Sequence, residues 1–146
     1  MPANQPRYLS RNEIDDEKWN RCIDFSSNRL IYGYTIYLDH MSDHWDALVV
    51  GDYAMVMPLT WRRKYGIKYL YQPALCQQLG IFSAEPVSVE TVSIFLQHAR
   101  TSFRFSEIFL NYQNRFDESI EYINYCLQLG RPYDQIHKHY KSSLQQ

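Results

Sequence analysis

The stretch DALVVGDYAMVMPLTW, residues 46–61, decides the architecture. Two apolar runs meet at Gly51-Asp52, a pair suited to a two-residue hairpin turn because glycine tolerates positive φ. Both faces of the run 53–59 are apolar, which is the pattern of a strand covered on two sides. Pro58 comes late in that run, where a strand can lose a donor at its end. RRKYG, residues 62–66, reads as a charged loop leading into IKYLYQP, where Ile67, Tyr69 and Tyr71 alternate with Lys68 and Gln72. A further extended piece, 77–83, follows the kink at Pro73.

Outward from this centre the signals are of several kinds. Toward the N-terminus, Arg7-Tyr8-Leu9 reads as a short strand. Asp15 is an N-cap followed by acidic Asp16 and Glu17, with Ile14 and Trp19 at the positions of a hydrophobic staple, so a helix is expected over 16–27. A shorter helix is expected around 34–42. Toward the C-terminus, Ser88 caps a helix whose Val92, Phe95, Leu96, Ala99 and Phe103 fall on one stripe. SEIFLNY (106–112) reads as a strand, NRFDES (114–119) as a turn or degenerate helix, and 122–129 as a strand of alternating apolar and polar residues. Gly130-Arg131-Pro132 stops it, and a terminal helix follows with Tyr133, Ile136, Tyr140 and Leu144 on one side. The order is β-α-α-β-β-β-α-β-(α)-β-α, a mixed, mostly antiparallel α/β sheet flanked by helices.

A chain of 146 residues makes one domain with a single core. Its aromatic content is high: 13 of its residues are tyrosine, which brings an apolar face and one hydroxyl that needs a partner. A net charge of −1 offers no general field for nucleic acid or an acidic membrane, so neither DNA nor a membrane is expected as a partner. Cys22, Cys76 and Cys126 are far apart and odd in number, and read as small buried residues in a reducing compartment. The opening MPANQPRYLSRNE has no apolar signal region, and no run is long enough to cross a bilayer; a cytoplasmic protein is expected.

The segment 37–83 carries a resemblance. Trp45 with Ala47-Leu48-Val49, the Val56-Met57-Pro58-Leu59 run, Arg62 to Gly66, Tyr71-Gln72-Pro73, and Gln77-Gln78-Leu79-Gly80 with Phe82-Ser83 resemble the N-terminal half of bacterial FemAB-like proteins. These carry two GNAT-type (acyl-CoA N-acyltransferase) domains in tandem. RPYDQIHKHYKSSLQQ resembles the helix that begins their second domain, dividing the chain into a GNAT-like domain, 1–130, and a C-terminal helix, 131–146. The resemblance implies acyl or aminoacyl transfer to an amine, on a small molecule or peptide, from an acyl-CoA or aminoacyl-tRNA donor. It also implies a partner, either a second GNAT-like domain or another copy joined through the C-terminal helix. In such tandems the N-terminal domain lacks a complete donor site. Substrate contacts are expected from Arg62, Lys64, Tyr71, Gln72, Gln77 and Gln78, which gather at loop and strand ends. Glu107 and Tyr112 are the nearest candidates for the catalytic base and acid, with Asn111 and Asn114 resembling the asparagine that often follows the fifth strand.

A GNAT donor site holds pyrophosphate on backbone N–H groups at a helix N-terminus, reached through small residues. Gln77 and Gly80 supply Q-x-x-G for such a turn. The connection LGIFSAEPVS, however, has one glycine, no Arg or Lys, a Pro86 that removes a donor, and Glu85 where phosphate would lie. It reads as a strand end with glutamines nearby.

Other constellations are weaker. His40 and His44 stand four apart, a spacing that places two imidazoles on one metal only within a continuous helix and with a third ligand; they read as solvated, and no metal is expected. His137 and His139 diverge on a helix. Arg62-Arg63-Lys64, flanked by Trp61 and Tyr65, suits a phosphate or carboxylate, or else a solvated hairpin tip. No Ser/His/Asp or Cys/His arrangement suggests a nucleophile. The competing expectation is a ligand-binding or dimerisation module on a degenerate GNAT scaffold.

Overall fold

The computed structural model describes residues 5–125 and 130–138. At its centre β2 (His44–Val50) and β3 (Met55–Lys64) pair antiparallel, from His44↔Trp61 to Val50↔Met55. β1 (Arg7–Leu9) pairs antiparallel with the other side of β2. Along the far edge of β3 lie two separate pieces. β4 (Ile67–Leu70) pairs with 61–64, and β5 (Phe82–Ser83) pairs with Met55 and Val56. β6 (Phe105–Ser106) runs parallel to β4 and ends the order β1-β2-β3-β4-β6. The sheet is mixed and mostly antiparallel.

Helices cover both faces. α1 (Asp16–Phe25) starts where the Asp15 carboxylate accepts the Lys18 N–H at 3.1 Å. Ile14 and Trp19 of the staple are buried together, with Ile23, against Trp45, Ala47, Val49 and Val56. α2 (Thr35–Met41) adds Leu38 to the same layer. On the opposite face α3 (Val89–Ser102) is capped by the Ser88 hydroxyl, which accepts the Thr91 N–H at 3.2 Å. Its stripe Val92, Phe95 and Ala99, continued by Phe103, packs on Leu48, Val50, Met57, Leu59 and Leu70. Successive residues of β2 therefore enter opposite cores, which is why Ala47 to Val50 are all buried and why the run shows no polar alternation. α4 (Tyr133–His137) follows near the C-terminus; the remainder of the expected helix, with Tyr140 and Leu144, lies outside the described residues.

Several expectations need correction. The β2–β3 turn uses four residues, 51–54, not two: the Ala54 N–H donates to Val50 O at 3.0 Å, and Gly51 and Tyr53 both have positive φ. Burial compensates the strain at Tyr53, whose hydroxyl accepts the Asp15 N–H at 2.7 Å and ties the turn to the start of α1. RRKYG is not a loop. β3 runs through Arg62, Arg63 and Lys64, and the chain reverses at Tyr65-Gly66 with φ of 51° and 79°, a tight turn of the I′ kind. Pro58 is thus mid-strand, tolerated for a visible reason. Thr60 accepts the Tyr71 N–H on the β4 side, and by the period of two Pro58 faces that same side, where β4 and β5 leave a gap and no ladder donor is needed. In 77–83 and 106–112 the ladder is shorter than expected, reduced to β5, β6 and one parallel bridge, Leu79↔Leu110. Residues 122–125 join no strand, and 126–129 lie outside the described residues. Among the described residues, no helix is long and apolar enough to cross a membrane.

Candidate functional site

The outer end of β3 and the junction of α2 with β2 enclose a cleft of about 210 Å³ lined by Arg11, Asp39, Asp43, His44, Trp45 and Trp61. Arg62 stands beside it. Its Nε and Nη2 donate to the two Asp43 oxygens at 2.6 and 3.1 Å, and its guanidinium lies 4.1 Å from the centre of the Tyr71 ring. The Tyr71 hydroxyl in turn accepts the Asp43 N–H at 3.0 Å. The Arg62 hydrogen bonds hold the Asp43 carboxyl below its ordinary range, and Asp43 raises Arg62 in return. Arg62 thus enters the site as half of a bidentate pair and not as a bare cation.

The floor is built the same way. Arg11 bridges Asp16 and Asp39, each with a shortest contact of 2.7 Å, and stacks 4.8 Å over Trp45. Asp39 also accepts the Trp45 indole N–H at 2.7 Å, and the Arg11 fork is the main cause of its lowered pKa. Asp46, a further lining residue, accepts the Arg11 N–H at 3.1 Å and the Tyr8 hydroxyl, whose pKa is pushed up by burial and then by that bond. On the wall, Trp61 is sandwiched: His44 stacks at 4.4 Å and the Lys68 ammonium sits 4.0 Å from its ring. The Trp61 indole N–H is buried and has no hydrogen-bond partner among the described residues. Buried donors are rarely left so.

The glutamines serve a different purpose. Gln72 donates to Cys76 O at 2.7 Å and accepts the Phe109 N–H at 3.0 Å, while Gln78 accepts the Tyr112 N–H at 3.2 Å. They stitch the β4–β5 connection to the strand beyond it where the ladder is missing. Gln77 reaches Asn124 at 2.9 Å. Beneath them three buried asparagines converge: Asn28, Asn111 and Asn114 each donate to Ile81 O, at 2.8, 3.1 and 3.2 Å. Asn114 also accepts the Ile81 N–H at 2.5 Å. Gly80 has φ of +98°, and a Cβ there would lie 2.4 Å from Asn114 Oδ1, so its small size serves the asparagine cluster.

Of the expected substrate contacts, the structure unites Arg62 with Tyr71 only. Lys64 does not join them: two residues further along β3, at the hairpin end, it lines an open groove of about 360 Å³ with Tyr65, Ile67, Tyr69 and Phe105. The Glu107 side chain is exposed while its N–H extends the β6 pairing to Leu70 O at 3.2 Å; Tyr112 is also exposed. No hydrogen bond joins the two among the described residues. His40 belongs to α2 and His44 to β2, so they do not share the continuous helix that their spacing would need, and no group of three potential ligands gathers among the described residues. Burial pushes the Cys22 and Cys76 thiols up to about 11, away from nucleophilic character. Residues 84–88 carry no basic side chain, and the Ser88 hydroxyl is engaged as a cap.

Sequence reasoning missed Asp43 as the partner of Arg62, the Trp61 sandwich and the buried role of Asn28. No sequence signal identifies them, because each arises from chain segments brought together by the fold. No protein-family model matches the chain, and no curated protein or solved structure was found to match it.

Proposed function

We propose that this chain is a GNAT-like, FemAB-related domain that contributes acceptor contacts to acyl or aminoacyl transfer onto an amine and lacks a complete donor site of its own. The observation that carries the reading is the split strand. β4 and β5 share one edge of β3 with residues 71–81 between them, α3 follows, and the chain returns parallel at β6 and at Leu110. This order supports the acyltransferase scaffold that the sequence resembles. The connection into α3 brings no basic side chain to an acyl-CoA pyrophosphate, places Glu85 and Pro86 where it would lie, and has its Ser88 hydroxyl engaged as a cap. An amine is better served by the cleft, where Trp45 and Trp61 supply ring faces and Asp39, Asp43 and Asp46 supply carboxylates, the first two shared with Arg11 and Arg62.

The test is a pair of titrations on the whole chain. Ethanolamine, glucosamine and glycylglycine, each added at millimolar concentration, are followed through the indole N–H signals of Trp45 and Trp61. At least one is expected to move the Trp61 signal, and Asp43→Asn to weaken the effect. Acetyl-CoA, followed by calorimetry, is expected to give no heat. Saturable acetyl-CoA binding would overturn the missing donor site, and indole signals unmoved by every amine would overturn the acceptor site.

A further inference from the structure

Between Asp52 and Glu85 the chain has no acidic residue, and its four cations there, Arg62, Arg63, Lys64 and Lys68, all belong to the β3–β4 hairpin or its turn. The fold adds a fifth, Arg104, by pairing Phe105 with Tyr69 of β4. Arg62 is committed to Asp43. Arg63, Lys64, Lys68 and Arg104 have no salt bridge among the described residues. In the two segments 62–69 and 104–107 only Glu107 opposes them. The net charge of −1 hides this cluster, because an average over the chain says nothing of a local field.

The cations border the groove of about 360 Å³ at the hairpin end, where Tyr65, Ile67, Tyr69 and Phe105 are joined by Lys64. The Lys64 ammonium lies 5.6 Å from the centre of the Tyr65 ring, and the Arg104 guanidinium 5.8 Å from that of Phe105. Tyr65 carries a second observation. It holds φ of 51° ahead of Gly66 in a tight hairpin turn, a position that asparagine fills with less strain. Burial offsets the same strain at Tyr53, but the Tyr65 side chain is 92 % exposed, so burial offsets nothing there. Strain kept at an exposed ring points to a role for that ring outside the fold.

A ligand for this surface has to be anionic and has to bring flat apolar faces. An anionic bilayer would answer the cations but would lie across the groove without filling it. A single-stranded nucleic acid answers both demands, its phosphates meeting the cations and its bases stacking on the rings whatever their sequence. We propose that the β3–β4 hairpin and the start of β6 form a groove for single-stranded nucleic acid, with Tyr65 and Phe105 as stacking rings and Lys64 and Arg104 as phosphate contacts. The inference uses none of the residues lining the cleft, so it stands or falls apart from the acyl-transfer reading.

Labelled oligo(dT) and oligo(U) of about twelve nucleotides, titrated with the whole chain at about 50 mM salt and followed by fluorescence anisotropy, are the probes. Saturable binding of at least one is expected, weakening steeply toward about 200 mM salt. Tyr65→Asn is expected to weaken it at least about fivefold, the stacking of one base, and to leave the salt dependence unchanged. The Tm of this variant is expected to equal or exceed the parent's, because Asn-Gly suits the turn. Lys64→Gln and Arg104→Gln are each expected to lower the slope of log K against log salt by about 0.7. Failure of both oligonucleotides to bind overturns the proposal, as does a parent that prefers phosphatidylserine vesicles to either. A Tyr65→Asn chain that binds like the parent also overturns it, since charge alone would then hold the strand. So does one that loses its fold, since the ring would then serve the hairpin itself.

Discussion

Gly80 occupies a backbone conformation open to few side chains, φ +98°, against the carboxamide of Asn114. Two costs therefore meet in Gly80→Ala. A methyl group at positive φ is strained by about 1–2 kcal/mol, and its collision with Asn114 displaces the acceptor of the buried Ile81 N–H, worth about 1–3 kcal/mol when lost. Urea unfolding is expected to show a loss of about 2–4 kcal/mol with an unchanged m-value. A loss within about 0.5 kcal/mol would mean that the asparagine cluster yields freely and is not a rigid clamp. At this scale the sequence is least legible. Asn111 and Asn114 resemble the asparagine after a fifth strand, but their burial, and that of Asn28, depends on segments more than eighty residues apart meeting at Ile81, as the pairing of Asn28 with Asn111 shows. Asparagine is ordinarily a turn residue, so local chemistry points the wrong way.

At the scale of elements, the split edge of β3 depends on side chains where backbone pairing fails. Gln72 spans the break, holding Cys76 O with its amide and Phe109 N–H with its carbonyl. Gln72→Met keeps the length of the side chain and removes both bonds. A cost of about 1–3 kcal/mol follows, and hydrogen exchange should localise it: the Phe109 amide should exchange faster, while Val56, central in the sheet, should keep its protection up to the global limit. Equal acceleration at both sites would show that Gln72 acts through global stability alone. Elements with local signatures were the readable ones. The cap at Asp15 and staple of Ile14 and Trp19 define α1, and Ser88 with the 92–103 stripe defines α3, because those signals need only neighbours in sequence. Strand limits were read less well. RRK reads as a loop because charge suggests solvent, yet an exposed strand end is solvated too, and Arg62, Arg63 and Lys64 pair with Tyr69, Lys68 and Ile67. Pro58 reads as a strand end because the gap that excuses it lies between other strands, β4 and β5.

For the whole molecule, acid should reveal how its layers are tied together. Arg11 links Asp16 at the start of α1 to Asp39 in α2, and Asp39 reaches Trp45 in β2, so one guanidinium joins both helices to the central hairpin. Asp39 has its pKa lowered from 3.8, chiefly by Arg11, and Asp43 is lowered by Arg62. The sign follows from proton counting: near and below 3.8 the unfolded chain binds protons more readily than the fold does. Their contribution is complete above that value and is lost as pH falls through the lower, folded pKa. Tm should therefore be insensitive to these groups between about pH 7 and pH 5 and fall below about pH 4. Asp39→Asn should remove roughly 0.5–1 kcal/mol near neutrality, a modest figure because solvent screens the pair. It should also flatten the acid limb, since the variant has no proton to take up at that position. A variant that is destabilised at neutral pH but keeps the parent's acid limb would show that Asp39 acts by packing and its bond to Trp45, and that the coupling of helices to hairpin does not run through its charge.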